Sequence, residues 1–591
     1  MKDSLLHHIY AVYSKLMKLY RRIQIPTIYS IGVCCSLYFC LAPVKNAAGL
    51  GVCVLLYVFT YISASTFPEN FRNIVSYADR LWKKIILILL YIYFCVSVFG
   101  LVYLEPNTLN AFKFSPRLYL LFAVFWTIPL FFGFVRAIVL LLSDSLSSSK
   151  GLSLKTKLLL IGLLMANYGM WIYAFNPCIT SPDSANLYNQ AHQMFSVPMH
   201  NWHPPFYAML MSWLLFLCDS IIFLVVVQCL AFSVLLVQIV DFLLSRGCKR
   251  FYVFILYSVL GFSFNNSMMM ITLWKDIPYM ISILWLSFLL AQFIISEYEV
   301  KRLWYIKFVL SMAFTVLFRQ NGLFPVLAVS MILTVFSIFK KKKKLAISVA
   351  VSILLIMFVE GPLYSFYKII DQPGGLKYYA LANDIRGTYY EIDDPSEDMI
   401  KMVNEITNDN PEEYLYMAYY TIYNTNSLND YSVTEFISLY ADTFFRHPVI
   451  LLRNFMRRNT LLWSVIKPEG ELLSICYLGD YHDDDNYTYT YPSRTNNYLT
   501  GKITGFSEKL TDNSVIYLFS WRVGFYVLIM LGVMVFIFYK KGIMVLLPFI
   551  PNIFNILSLY VSSGWCDFRY YWPISILTFF LLAFSHIYYK Q

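Results

Sequence analysis

The chain has 591 residues, 59% of them hydrophobic and 14% charged, with a mean hydropathy of +0.58. One water-soluble core cannot take up so much apolar surface, so a bilayer must solvate most of the chain. The net charge of +11 does not indicate nucleic acid, because the basic residues gather in short loops between apolar runs, where they report topology.

Read from the N-terminus, residues 1–26 carry Lys2, Lys15, Lys18, Arg21 and Arg22 ahead of the first apolar run. No clear small-x-small cleavage site follows, and the next run, Gly49 to Thr66, comes at once. A retained first helix is therefore expected instead of a cleaved signal. Apolar runs of about 17 to 25 residues, enough to cross the hydrocarbon, recur from Thr27 to Tyr589 and number about fourteen. The 11 cysteines show no CxxC spacing, and most, such as Cys34, Cys35, Cys40, Cys53 and Cys229, lie in apolar segments. They read as small buried hydrophobes, with neither a zinc site nor a disulfide frame.

Lys and Arg cluster at the N-terminus, from Arg72 to Lys84, Lys150 to Lys157, Arg246 to Arg250, Lys301 to Arg302, Lys340 to Lys344, and at Lys540 to Lys541. Such loops stay cytoplasmic. Alternating spans satisfy this only if a single crossing lies between Phe206 and Leu243. Phe206 to Cys218 is short for a span and is assigned to the outer interface, leaving Ser220 to Leu243 as the crossing. Both termini are then cytoplasmic, and the loops of Asp183, Asp276, Arg319 and Asp567 face outward.

So does the polar region Lys368 to Val515, which at roughly 150 residues is long enough to fold as a domain. It contains the acidic run Asp483 to Asp485, and helices are expected around Pro411 to Ala418 and over Val433 to Trp463. In the second helix Arg446, Arg453, Arg457 and Arg458 are spaced so that several share a face, suited to lipid headgroups or equally to solvation. The expected fold is an all-α polytopic membrane protein with an external, mainly helical α or α+β domain.

Chemistry concentrates in four outward segments. The loop Asn176 to His192 has no Lys or Arg and one acidic residue, Asp183; Ser181, Asp183 or Ser184 could cap the helix that begins near Ala185. Next comes Asn201-Trp202-His203-Pro204-Pro205-Phe206-Tyr207, whose paired prolines open the interfacial helix. Trp274-Lys275-Asp276-Ile277-Pro278 precedes a span, and Arg319-Gln320-Asn321-Gly322 ends a later one. Asp567-Phe568-Arg569-Tyr570-Tyr571-Trp572-Pro573 starts the last span. Glu360 is a costly carboxylate near the end of a span.

These motifs, in this order, resemble the GT-C superfamily of membrane glycosyltransferases, which includes protein O-mannosyltransferases and aminoarabinose transferases. Asp183 matches the acidic residue of the first long external loop, and His203 to Tyr207 the His/Lys-Pro-Pro-Leu-like element. Asp276 matches a second acidic residue, and Asp567 to Pro573 the acidic-x-Arg-Tyr-x-x-Pro ending. Trp-Lys-Asp and Arg-x-Asn-Gly suggest a bacterial branch. The chain departs from the superfamily in its added N-terminal spans and in the insertion of its external domain between spans.

The resemblance implies an N-terminal extension over residues 1–158 and a GT-C-like core over 159–367 with its catalytic loop at 176–219. An extracytoplasmic domain follows over 368–515, and C-terminal helices over 516–591. It also implies transfer of a sugar from a polyprenyl-phosphate donor to a cell-surface glycan, glycolipid or protein, at the outer face of the cell membrane, with no cofactor or metal required. Asp183 would be the general base, and Asp276 and His203 would orient the reactants. Arg319 and Arg569 would clamp phosphate, since a guanidinium reads two oxygens at once, with Lys275, Asp567 and Tyr570 beside them.

Blander roles compete for the same residues. Arg319 could anchor at the interface, Arg569 could pair with Asp567, Lys275 could set topology or pair with Asp276, and His203 could be a polar interfacial residue. A transporter or flippase of lipid-linked saccharides is the alternative for the whole chain, although mid-span charges, Arg136 apart, are scarce. A non-enzymatic scaffold or polymerase component is a third.

Overall fold

Apolar chain inside a bilayer can satisfy its backbone by closing i to i−4 hydrogen bonds within each segment. The computed structural model follows that rule. It describes residues 29–30, 47–104, 124, 127–147, 151–194, 196, 199–201, 203–370, 378–406, 428, 431–466, 488–490, 497–512, 514–564 and 567–590. Among the described residues the regular elements are helical, and extended pairing is limited to two isolated bridges, Ile179 with Thr272 and His200 with Ile370. The basic stretch 1–26, Cys34, Cys35, Cys40, the expected helix Pro411 to Ala418 and the acidic run Asp483 to Asp485 lie outside the described residues.

Nine helices among the described residues are long and apolar enough to span a membrane, or ten if the pair Arg250–Phe262 and Phe264–Met270, bent by 49°, counts as one. The chain is thus an all-α, multi-pass membrane protein by composition and helix length. The expected count of about fourteen also took in the run from Thr27, mostly outside the described residues, and shorter apolar stretches. One of those is the 16-residue helix Ile128–Ser143; the stretch Phe206 to Cys218, expected not to cross, falls on a separate 13-residue helix, Pro205–Leu217.

The chain divides into two compact units. The first comprises Met1–Asp144, Trp463–Pro468 and Ser507–Gly542. Its helices include α1 (Ala47–Tyr77), α2 (Leu81–Leu104) and α3 (Ile128–Ser143). Helices α1 and α3 cross closely: a Cβ on Gly133 would lie 2.1 Å from Ser63 Oγ, so only glycine admits this approach.

The second unit comprises Ser145–Leu462, Glu469–Phe506 and Ile543–Gln591. Its elements used below are α4 (Leu154–Ala174), α5 (Pro182–Gln193), α6 (Pro205–Leu217), α7 (Ile221–Ser245) and α8 (Asp276–Ile295). They continue with α9 (Arg302–Leu317), α10 (Leu323–Phe339) and α11 (Lys343–Phe358). Then come α12 (Tyr379–Tyr389), α13 (Glu397–Ile406), α14 (Val433–Arg446), α15 (Pro448–Arg458), α16 (Ile550–Ser562) and α17 (Phe568–Lys590). Helices α8 and α17 are the most enclosed spans, each 78% buried over its most apolar window, and pack on each other. Both begin with site residues, so the site rests on the most rigidly held helices of the unit.

The polar region has a small apolar core of its own, where Ile385, Met402, Val403 and Phe436 from α12, α13 and α14 meet. The single helix expected over Val433 to Trp463 is broken after Arg446. Pro448 cannot donate the next intrahelical hydrogen bond and starts α15 as its first residue. The expected shared basic face is correspondingly dismantled. Only Arg446 stays exposed, paired with Asp442; Arg453 and Arg457 hold Glu391, and Arg458 is buried.

Candidate functional site

Asp183 enters the site because another residue caps its helix. Ser181 Oγ accepts from the Ser184 amide and Ser184 Oγ accepts in turn from the Ser181 amide, which closes a capping box at the start of α5. Pro182 occupies the first helical position, and Asp183, in the first turn, gains from the helix dipole while its carboxylate stays free to reach outward. The side chain keeps 24% of its surface accessible.

The segment before α8 is stitched to that helix start. Leu273 donates its amide to the Ile179 carbonyl, Ser184 Oγ donates to the Leu273 carbonyl, and Trp274 Nε1 donates to Ser181 Oγ at 2.6 Å. Gln228 of α7 braces the same strand-like turn by donating to the carbonyls of Met270 and Thr272. Lys275 and Asp276 are thereby fixed next to Asp183, although about 90 residues separate them in sequence. On the other side, the Ile370 amide donates to Met199 and the Asn201 amide to Ile370, which pins the segment that delivers His203.

Arg569, one residue into α17, donates from Nη1 to Asp183 Oδ2 at 2.6 Å and lies 2.8 Å from Asp567 through Nε. Arg319 follows α9, and a tight turn holds it: a Cβ on Gly322 would lie 1.8 Å from the Thr315 carbonyl, so the turn requires glycine. Its Nη1 stands 2.9 Å from Asp276 Oδ1, with Asp276 fully buried and the Arg319 side chain 8% exposed. This pair is at contact distance without hydrogen-bond alignment, so both Asp276 oxygens are buried and unsatisfied. The ring of Tyr570 lies within 4.8 Å of both guanidinium groups, and Trp274 faces Arg569 at 4.9 Å, giving the two cations an aromatic shelf.

Lys275 Nζ donates to His203 Nδ1 at 2.7 Å, which leaves the imidazole proton on Nε2, 3.9 Å from Asp183 Oδ1. Burial, helped by the Lys275 charge, pushes the His203 imidazole down to about 3, so it is neutral at physiological pH. Burial lowers the Lys275 ammonium as well, against the pull of Asp183 and Asp276. Asp183 moves the opposite way from a simply buried acid. Desolvation would raise it, but Arg569, His203 and Lys275 together hold it well below the usual carboxylate range. For Asp567 burial wins over Arg569, and its carboxyl is pushed up to about 6. By number, the acids Asp183, Asp276 and Asp567 match the basic residues Lys275, Arg319 and Arg569.

All eight sequence-predicted residues, Asp183, His203, Lys275, Asp276, Arg319, Asp567, Arg569 and Tyr570, therefore meet in one cluster. Arg569 does pair with Asp567, but it also reaches Asp183. Lys275 makes its hydrogen bond with His203, and Arg319 is turned inward instead of anchoring at an interface. Trp274 and Ser181 were quoted in the motifs without a site role; the indole that joins the two loops and stacks on Arg569 is visible only in three dimensions.

An apolar groove of about 440 Å³ lies between α6, α7, α8 and α9. Phe206, Tyr207, Pro278 and Phe318 line the end that adjoins His203, Asp276 and Arg319 in sequence, and Gln238 and Lys307 also contribute to its wall. Comparison with known protein families, with curated proteins and with solved structures found no match.

Proposed function

We propose that the protein is a glycosyltransferase that moves a sugar from a polyprenyl-phosphate donor to a hydroxyl of a cell-surface glycan, glycolipid or protein. The observation that carries this reading is the convergence of three acids and three cations from separate loops, on segments whose nearby residues, Phe206, Tyr207, Pro278 and Phe318, line an apolar groove. An amphipathic donor with a long hydrocarbon tail and an anionic head matches that combination. Residence at the outer face of the membrane, with cytoplasmic termini, follows from the distribution of Lys and Arg; the resemblance to GT-C enzymes agrees with it.

In this reading the tail lies along the groove and the phosphate oxygens take hydrogen bonds from Arg569 and Arg319. The acceptor oxygen attacks the anomeric carbon, the bond from that carbon to the phosphate oxygen breaks, and the electron pair leaves with polyprenyl phosphate. The acceptor proton passes to Asp183. While Arg569 holds Asp183 the carboxylate is a weak base. A phosphate that draws off the guanidinium removes the largest stabiliser of that anion, so donor binding raises the basicity of Asp183 when it is needed. The Nε2–H of His203 faces the same carboxylate from 3.9 Å, close enough to hydrogen-bond it after a small shift.

The test is transfer in membranes supplied with donor and acceptor. Asp183→Asn abolishes it with expression intact; full activity in that variant removes the assignment. Donor consumption by the purified protein without an ion or proton gradient separates this reading from a transporter of lipid-linked saccharides.

A further inference from the structure

A second cavity of about 380 Å³ has a mixed wall: Asn201, Gln320, Glu360, Tyr364 and Ser365 supply polar groups, and Pro204, Pro205 and aliphatic side chains such as Leu317 and Leu323 supply the apolar part. Asn201 and Pro204 flank His203 in sequence, and Gln320 follows Arg319, so cavity and cluster share two stretches of backbone. Its size falls within the about 300 to 1,000 Å³ usual for small-molecule sites.

Glu360 reaches this cavity through a local irregularity. After α11 the backbone opens into a π turn, Val359–Leu363, that contains Gly361 and Pro362. Proline lacks the amide hydrogen an α-helix would use there, and the wider turn accommodates it while re-aiming the neighbouring side chain. Glu360 is exposed to the cavity and makes no ion pair among the described residues, although a carboxylate at the end of an apolar span is costly. Gln320 Nε2 donates to Asn201 Oδ1 at 3.2 Å, and the Tyr364 hydroxyl accepts from the Phe206 amide at 3.2 Å. The walls therefore combine a strong acceptor, fixed amides, hydroxyls and a flat prolyl surface.

We infer that this cavity is a saccharide subsite in which the Glu360 carboxylate accepts hydrogen bonds from vicinal hydroxyls of a pyranose ring and the Gln320 amide donates to and accepts from them. The inference rests on the glycosyl-transfer reading for its biological meaning and on the cavity alone for its chemistry. A carboxylate accepts from two neighbouring hydroxyls at once, an amide both donates and accepts, and a proline packs against the C–H face of the ring. The sugar belongs either to the lipid-linked donor or to the acceptor.

The experiment is saturation-transfer NMR on the full chain in a detergent without a sugar headgroup, with the methyl glycosides of glucose, galactose, mannose and N-acetylglucosamine as probes. At least one binds the wild type, binding weakens tenfold or more in Glu360→Ala, and it weakens severalfold in Glu360→Gln and Gln320→Ala, variants that keep the side-chain volume or lie outside the charged cluster. No glycoside binding to the wild type, or binding unchanged in Glu360→Ala with an unaltered melting temperature, overturns the inference.

Affinity for polyprenyl-phosphate sugar against sugar-free polyprenyl phosphate assigns the source. A loss in Glu360→Ala confined to the sugar-bearing lipid makes the sugar the donor's; an unchanged donor with a raised acceptor KM makes it the acceptor's. Asp183→Asn retains glycoside binding, so full transfer activity in that variant removes the base assignment and leaves the subsite standing.

Discussion

Two aspartate–arginine contacts in the second unit use the same chemistry to opposite ends. Asp384 of α12 and Arg458 of α15 form a closed bidentate pair, Nε to Oδ1 and Nη2 to Oδ2 at 2.8 Å each, and both side chains are buried. Arg458 Nη1 also donates to the Ser563 carbonyl, which ties the polar region to the loop that carries Asp567. Asp183 and Arg569 instead share one hydrogen bond, Asp183 is a quarter exposed, and Arg569 divides its charge with Asp567. A closed pair has no capacity left for a ligand and so serves the fold. An open one can exchange partners, which is what a substrate needs.

The sharpest way to break this comparison is to remove one partner from the closed pair. Arg458→Ala leaves a buried carboxylate unpaired and should cost about 3 to 5 kcal/mol, read as a lower melting temperature. Asp384→Leu combined with Arg458→Met recovers most of that loss. Asp183→Asn, by contrast, gives up the favourable contacts of a partly exposed carboxylate and lowers the melting temperature less than Arg458→Ala does, while transfer is lost; an equal stability loss in the two variants would place both pairs in the same class.

Next in size is Arg569→Lys, which keeps the charge but loses the planar fork. Forfeiting one charge-assisted hydrogen bond of about 1.5 to 3 kcal/mol weakens donor binding about tenfold or more. Equal donor affinity in the variant would remove phosphate from the role given to Arg569.

A smaller effect tests Asp567. Burial pushes its carboxyl up to about 6 from the ordinary value of 3.8, so protonation as pH falls through that point makes the cluster one charge more positive. Affinity for the donor, a phosphodiester whose own charge is constant in this range, should rise severalfold between pH 7 and pH 5, and Asp567→Asn should abolish the pH dependence. For stability the sign is opposite to that of a salt-bridged acid. The folded state holds this proton more tightly than the unfolded state, so the contribution to stability is greatest below the ordinary carboxylate range and declines as pH rises toward 6. Smallest of all, Arg446→Ala, which removes an exposed pair with Asp442, should leave both melting temperature and transfer unchanged.

The candidate site was readable because each of its motifs sits where an apolar run stops, and a polar residue at such a boundary is conspicuous in sequence. Asp276 and Arg569 open helices α8 and α17, Arg319 closes α9, and the prolines after His203 open α6. Pairing was not readable. Nothing local tells that Arg569 chooses Asp183, 386 positions away, as well as its neighbour Asp567. Arg458 looked like one of four equivalent basic residues until the break at Pro448 turned it inward. Glu360 was conspicuous as a costly carboxylate, but the cavity it faces is made by residues from Asn201 to Ile369 that no spacing connects.

By itself, then, the sequence determined the solvent, the helical secondary structure and the ends at which chemistry collects. Hydrophobic run length and charge placement are local properties, and a bilayer enforces them segment by segment. Only the tertiary structure decided which charges face each other, which pair is closed and which open, and where the two cavities lie. Those outcomes depend on helix packing and on hydrogen bonds between distant loops, such as Trp274 to Ser181, that are fixed only once the helices have assembled.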